Sequence, residues 1–100
     1  MIIGGGPAGY ESALVAAQLG AQVTVLDRDG IGGSCVLSDC VPSKTLIATS
    51  DRVTAFRDAP RVGVGVASSD AVQVDLASVN TRIKTLARQQ SDDIRARLVK

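Results

Sequence analysis

The pattern that most restricts the fold lies within the first nine residues. Gly4-x-Gly6-x-x-Gly9 stands between two isoleucines and an alanine- and leucine-rich segment over residues 8–20. Gly4 permits a tight turn, Gly6 lets the backbone approach a ligand without a Cβ in the way, and Gly9 lets a helix pack closely on a strand. The pattern therefore predicts a strand, a tight turn and then a helix that ends near Gly20.

A second strand and an acidic residue complete this pattern. Residues 22–27 form a β-branched run that ends in Asp27. A pyrophosphate would lie against the first amides of the helix, where the helix dipole stabilises an anion. Asp27 is placed to accept hydrogen bonds from ribose hydroxyls, and its charge disfavours a 2′-phosphate. The alternative is a glycine-rich turn beside a surface aspartate. We favour a βαβ unit with a dinucleotide site, which does not by itself separate FAD from NAD.

Composition limits the class of protein. One hundred residues with a net charge of +1 and 45% hydrophobic content describe a globular chain with room for one core. The apolar runs are short and Glu11 lies where a signal peptide would be apolar, so we expect a cytoplasmic protein without a membrane span. The chain has no histidine, the commonest general acid or base and the commonest metal ligand, and we expect no metal site.

The rest of the chain predicts further helices and little sheet. A helix is expected from Pro42 to about residue 58, with Pro60 beyond it. Residues 62–66 and 72–76 are β-prone and suggest a small hairpin. Residues 79–100 predict a long amphipathic helix whose apolar face has no partner in the chain.

Two parallel strands and three helices cannot cover both faces of a sheet. We therefore expect an α/β chain that is the N-terminal part of a Rossmann-like domain, a βαβ unit plus two further helices with an incomplete sheet, in a longer enzyme. A complete small domain is the alternative. Residues 79–100 carry six basic and two acidic side chains. We interpret them as a solvated helix face and expect no nucleic-acid partner.

Cys35 and Cys40 are the only cysteines. A structural disulfide does not suit a cytoplasmic chain, a zinc site would need about four ligands, and two unrelated buried thiols are a third alternative. A reversible dithiol/disulfide pair fits best. In a regular helix residues i and i+5 have Cα atoms about 8.6 Å apart, beyond the disulfide limit of about 7 Å, so the segment must be distorted, with Pro42 a candidate cause. Lys44 would lower a thiol pKa and Asp39 would raise one.

Two motifs in order carry a family resemblance. Gly4-Gly5-Gly6-Pro7-Ala8-Gly9-Tyr10-Glu11, followed by Gly32-Gly33-Ser34-Cys35 and Cys40-Val41-Pro42-Ser43-Lys44, resembles the N-terminal FAD-binding part of the pyridine nucleotide-disulfide oxidoreductases. The pattern is most similar to the dihydrolipoyl dehydrogenase and NAD(P)H:quinone reductase branches. The resemblance implies that residues 1–100 are part of an FAD-binding domain, with the NAD(P)H-binding and dimerisation domains of a homodimer outside this chain.

The resemblance also implies residue roles. Seven residues would bind FAD: Gly4, Gly6, Gly9, Asp27, Gly33, Ser34 and Lys44. Cys40 would lie next to the flavin, and Cys35 would exchange with the substrate disulfide. Electrons would pass from NAD(P)H through FAD to this pair and on to a small-molecule or lipoyl-domain disulfide, or in reverse. The family's acid/base histidine has no counterpart in this chain, so the chain alone would be an incomplete catalyst.

The spacer between the cysteines departs from the family's usual Cys-Leu-Asn-Val-Gly-Cys. Leu37 stands at the Asn position and Asp39 at the Gly position. A similar Val-Leu-x-Asp-Cys-Val-Pro-Ser-Lys run occurs in the quinone reductase branch, several members of which lack the first cysteine, whereas Cys35 is retained here. Three hypotheses follow: a disulfide oxidoreductase of dihydrolipoyl dehydrogenase type, an NAD(P)H:quinone reductase without a thiol relay, and a dinucleotide-binding regulatory module with inert cysteines.

Overall fold

The structure is a computed structural model and describes residues 1–68 and 72–99. In chain order the elements are strand β1 (Ile2–Ile3), helix α1 (Pro7–Gln18), strand β2 (Val25–Leu26), helix α2 (Gly33–Leu37), helix α3 (Cys40–Asp58), a 3-10 helix (Ala59–Val62) and helix α4 (Leu76–Leu98). The predicted α/β class, with an incomplete parallel sheet, is confirmed.

The two strands form a minimal parallel sheet. Ile2 lies opposite Val25 and Ile3 opposite Leu26. The Gly4 amide donates to the Leu26 carbonyl at 2.7 Å and ends the ladder. The second strand is shorter than the predicted residues 22–27, because β1 is its only partner among the described residues and pairs with two of them.

Helix α1 starts and stops where the sequence predicts. Pro7 occupies its first turn, where the missing N–H costs nothing. At its C-terminus Gly20 takes a left-handed φ of +86°. The Gly20 amide donates to the Ala17 carbonyl and the Ala21 amide to the Ala16 carbonyl, each at 3.0 Å. This is the Schellman arrangement, which satisfies the last carbonyls of the helix.

The segment between the cysteines is two helices rather than one distorted helix. Helix α2, which the sequence did not predict, ends before Ser38, and the amides of Ser38 and Asp39 both donate to the Ser34 carbonyl, at 3.0 and 2.8 Å. Helix α3 begins at Cys40, before the expected start at Pro42. In one continuous helix the Pro42 nitrogen would have to donate to the Ser38 carbonyl, which proline cannot do.

The hairpin predicted over residues 62–66 and 72–76 is wrong. Pro60 and Val62 lie in the 3-10 helix, and Gly63 follows it with a left-handed φ of +82°. No strand forms in the described parts of either run, and Leu76 is the first residue of α4. The Asp75 carboxylate accepts hydrogen bonds from the first amides of α4, so it starts a helix where β propensity predicted a strand. The expected turn at residues 68–70 lies partly outside the described residues.

The last helix does have partners, so the prediction of an unpartnered apolar face is also wrong. Helix α4 packs against α1, α2 and α3. Its Ala87 and Ile94 are buried with Ala13 of α1 and Val36 of α2. The Cα radius of gyration is 19.2 Å, against about 13 Å for a compact domain of 100 residues. The core is therefore small, and its packing places α2 and α4 beside the glycine-rich turn.

Candidate dinucleotide and dithiol site

The glycine-rich turn has the geometry that its pattern predicts. Gly4 takes a left-handed φ of +101°, which reverses the chain between β1 and α1. A Cβ on Gly9 would overlap the Gly4 carbonyl oxygen and lie 3.6 Å from Ile2 Cγ2. Helix α1 therefore approaches β1 as closely as only glycine allows.

The start of α1 is open to a ligand. A Cβ built on Gly6 meets nothing within 4 Å. Within the described part of the chain no side chain caps this helix end, so the first amides of α1 still need acceptors. A groove of about 520 Å³ runs along the turn. Its lining residues are Ile2, Ile3, Gly4, Gly6, Pro7, Ala8, Gly9 and Ser12. Uncapped amides beside an open groove suit an anionic group such as a pyrophosphate.

Asp27 follows β2, and its carboxylate accepts hydrogen bonds from backbone amides. Its Oδ2 accepts a hydrogen bond from the Gly5 amide at 2.6 Å. Its Oδ1 accepts from the amides of Asp29 at 2.8 Å and Gly30 at 2.7 Å. The Gly5 bond is the largest cause that holds the pKa of Asp27 below its ordinary value, followed by the Gly30 and Asp29 bonds. The carboxylate therefore stays ionised and ties the turn to the end of β2.

A second loop is held against the glycine-rich turn by backbone contacts. The Gly32 amide donates to the Gly5 carbonyl at 2.7 Å. A Cβ on Gly33 would lie 2.9 Å from the Gly6 Cα, so the start of α2 is packed on the turn. The Ser91 hydroxyl of α4 donates to the Ile31 carbonyl and fixes this loop from the other side. Sequence reasoning missed Gly5 and Ser91; Ser91 lies 60 residues from Ile31, and no local signal pairs them.

The two cysteines meet at the junction of α2 and α3. Cys35 is half-buried, Cys40 is exposed, and both are free thiols. A hydrogen bond with the Cys40 side chain is the largest cause that raises the pKa of Cys35 above its ordinary value. Desolvation and the electrostatic effects of Cys40 and Asp39 also raise the pKa of Cys35. The helix break thus brings together two thiols that a continuous helix would separate.

The other predicted site residues occupy different surroundings. Ser34 is exposed, and its carbonyl accepts the two amide hydrogen bonds that end α2. Lys44 is exposed on α3, one helical turn after Cys40, so both project from the same side of the helix. Gly4, Gly6, Gly9, Asp27 and Gly33 are gathered at the turn.

A parallel βαβ unit with a glycine-rich turn and an acidic residue after its second strand defines an α/β dinucleotide-binding protein. The two cysteines on α2 and α3 favour a dinucleotide-binding protein with thiol chemistry. A family model described as pyridine nucleotide-disulphide oxidoreductase matches residues 1–99, and the chain belongs to this family.

Relatives and a solved structure agree with this assignment. The chain is 53% identical over 102 residues to an NAD(P)H dehydrogenase (quinone) of Mycobacterium tuberculosis strain H37Rv, a match that covers 99% of the chain and 20% of that relative. It is 47% identical over 64 residues to a dihydrolipoyl dehydrogenase 2 of Haloarcula marismortui, over 64% of the chain and 14% of the relative. The crystal structure of LpdA from Mycobacterium tuberculosis matches with a TM-score of 0.85 and 51% identity, over 97% of the chain and 20% of LpdA. The chain spans a fifth or less of the length of these relatives.

Proposed function

We propose that the chain is the N-terminal FAD-binding part of a flavoprotein disulfide oxidoreductase of the dihydrolipoyl dehydrogenase type. The observation that carries this proposal is the placement of Cys35 and Cys40 on either side of the break between α2 and α3, close enough for the Cys40 side chain to raise the pKa of Cys35. The start of α2 packs on Gly6 of the glycine-rich turn, so Cys35 lies on an element that is held against the dinucleotide groove, and Cys40 follows at the start of α3.

The backbone of the glycine-rich turn suits FAD. Open space at Gly6 and the free amides at the start of α1 would hold the pyrophosphate. Asp27 would lie by the adenosine ribose, because it follows the strand that ends beside the turn. The seven residues that would contact FAD are Gly4, Gly6, Gly9, Asp27, Gly33, Ser34 and Lys44. When bound, FAD supplies two-electron transfer between NAD(P)H and a dithiol.

The dithiol would exchange with an external disulfide. The Cys35 thiolate would attack one sulfur of the substrate, forming a mixed disulfide and releasing one substrate thiol. The Cys40 thiolate would then displace the second substrate thiol and close a Cys35–Cys40 disulfide. Two protein thiols are oxidised and one substrate disulfide is reduced, so the electrons balance; the dehydrogenase direction is the reverse. The substrate class is a small-molecule disulfide or one carried on a lipoyl domain.

The longer protein would supply what this chain lacks. Its relatives are about five times as long, so we assign NAD(P)H binding, dimerisation and an acid/base histidine from the partner subunit to other parts of a cytoplasmic homodimer. Within the described ranges no helix is both long and apolar enough to cross a bilayer.

A second candidate function is NAD(P)H:quinone reduction. The observation in its favour is the relative named NAD(P)H dehydrogenase (quinone), which is 53% identical over nearly the whole chain. In that case electrons would leave FAD directly for a quinone, and Cys35 and Cys40 would take no part.

The test uses the protein at the full length that its gene encodes, with Cys35→Ser, Cys40→Ser and the control Ser38→Ala. Each purified protein is examined for bound flavin and titrated anaerobically with NADH, and free thiols are counted after denaturation. The thiol relay requires two new thiols per flavin in the native protein and the control, and none in either cysteine variant. A long-wavelength thiolate-to-flavin absorption band should appear on reduction in the native protein and the control, and it should be absent from Cys40→Ser. In Cys35→Ser the band should be present before reduction, because Cys40 has no disulfide partner there.

Other outcomes separate the alternatives. Quinone turnover that is unchanged by Cys35→Ser, without new thiols on reduction, would favour the quinone reductase. A native protein that neither retains nor binds flavin would favour a regulatory dinucleotide module with inert cysteines.

A further inference from the structure

We propose that Asp27 is a positioning residue: its carboxylate holds the pyrophosphate-binding turn in shape through Gly5, and leaves one acceptor position for the ribose. The inference rests on the proposed function only in taking FAD as the ligand. It differs from the expected role of this acid, in which the ribose is its main partner.

Most acceptor positions of the Asp27 carboxylate are already occupied by backbone amides. An ionised carboxylate offers about four acceptor positions, two on each oxygen. Asp29 and Gly30 occupy both positions of Oδ1, and Gly5 occupies one on Oδ2. One position on Oδ2 remains, so Asp27 can accept from a single ribose hydroxyl and cannot engage the two hydroxyls with separate oxygens.

Gly5 is held tightly by its neighbours. Its amide donates to Asp27 and its carbonyl accepts from Gly32, so the peptide groups on both sides of Gly5 are held. A Cβ on Gly5 would lie 3.1 Å from the Asp27 Cβ and 2.9 Å from Ile31 Cδ1, which leaves little room for the peptide to shift. Because Gly6 follows directly, the location of the Asp27 carboxylate determines where the open backbone of Gly6 lies.

The amides around Asp27 require a carboxylate rather than an amide side chain. A free carboxylate beside a pyrophosphate would repel it, but three amide N–H groups oppose the charge of Asp27. Asparagine has the same shape but one oxygen only. If that oxygen keeps the two bonds on the Oδ1 side, the new NH₂ group faces the Gly5 N–H, and two donors meet.

The experiment combines Asp27→Asn with a ligand that lacks the adenosine hydroxyls. Full-length apoprotein is titrated with FAD and with its 2′,3′-dideoxyadenosine analogue, and flavin fluorescence reports binding. Asp29→Asn is the matched control, because the Asp29 side chain pairs with Arg28 on the surface and does not face the turn. Amide exchange at Gly5 is measured in each apoprotein.

A positioning role predicts that Asp27→Asn weakens binding of the dideoxy analogue by about tenfold or more, the loss of one charged hydrogen bond. Gly5 exchange should rise in the variant without ligand, and the control should match the native protein. If the effect of Asp27→Asn falls below twofold for the analogue, Asp27 acts through the ribose and the proposal is wrong.

FAD binding and the role of Asp27 can fail independently. Absence of FAD binding by the native protein would refute the flavoprotein assignment, and Gly5 exchange would still decide the role of Asp27. If Asp27→Asn does not fold, exchange in the native apoprotein decides, because an unprotected Gly5 amide contradicts the proposed bond.

Discussion

Replacing two glycines of the same turn with alanine should have different effects, one on stability and one on ligand binding. At Gly9 the added methyl would overlap the Gly4 carbonyl oxygen, so α1 must move away from β1. At Gly6 the methyl meets open space, and the backbone angles of φ −70° and ψ −178° are accessible to alanine. The first substitution therefore tests the fold, and the second tests the ligand.

The magnitudes follow from these contacts. Overpacking costs about 1–3 kcal/mol, and the overlap at Gly9 involves backbone, which cannot rotate away, so we expect Gly9→Ala to lower the stability of α1 by about 3 kcal/mol. At Gly6 the lost freedom of the unfolded chain favours alanine by about 0.4–1 kcal/mol, and the poorer N-cap disfavours it by a similar amount. The net change for Gly6→Ala should be within about 0.5 kcal/mol.

The assay is native-state amide exchange of α1 in the full-length apoprotein, followed by titration with FAD. Gly65→Ala is the control, since a Cβ there meets nothing within 4 Å and lies outside the turn. We expect faster exchange for Gly9→Ala, unchanged exchange but at least about tenfold weaker FAD binding for Gly6→Ala, and neither effect for the control. Normal FAD binding by Gly6→Ala would refute the assignment of this turn to the pyrophosphate.

Three further substitutions and one control variant test the packing and hydrogen bonds of α4, each followed by amide exchange. Ile94→Ala should destabilise α4 by about 2–5 kcal/mol because Ile94 is buried, whereas the exposed Val99→Ala should stay within about 0.5 kcal/mol. Ser91→Ala should loosen the loop at Ile31 by about 1 kcal/mol, with no change at the start of α4. Asp75→Ala should increase exchange at the start of α4 at neutral pH. Hydrogen bonds to Ser78 hold the pKa of Asp75 below its ordinary value. The stabilisation that Asp75 gives to α4 is therefore fully present above the ordinary pKa and is lost as the pH falls through the folded-state pKa. A difference in exchange between the native protein and Asp75→Ala that persists in strong acid would contradict this reasoning.

Local signals predicted the first third of the fold. Gly4 and Gly9 have conformational and packing requirements that few turns other than strand-turn-helix satisfy, and Gly20 provides the left-handed residue that ends α1. These predictions depend on contacts within about 20 residues. They succeed because the backbone alone requires glycine at those positions.

The predictions that failed depended on contacts between distant segments. Residues 62–66 have β propensity, but propensity forms a strand only where a neighbouring strand is available, and the described residues offer none there. The buried face of α4 and the Ser91–Ile31 bond join segments far apart in the chain. Gly5 was missed for a related reason, because the middle glycine of three in a row does not reveal that its amide will face Asp27.

The connection between the glycine-rich turn and α2 explains how the exposed part of the segment between Cys35 and Cys40 can vary. Gly32 bonds the Gly5 carbonyl and Gly33 packs on Gly6, so backbone atoms set the position of α2. The exposed side chains of Ser38 and Asp39 take no part in those contacts, whereas Val36 is buried in the core. The Cys40 hydrogen bond, desolvation and the electrostatic effect of Cys40 are the larger causes that raise the pKa of Cys35, and the charge of Asp39 adds to them. A residue that raises a thiol pKa decreases the thiolate fraction at neutral pH. Replacing Asp39 with the family's usual glycine should therefore change the reactivity of Cys35 more than the binding of FAD.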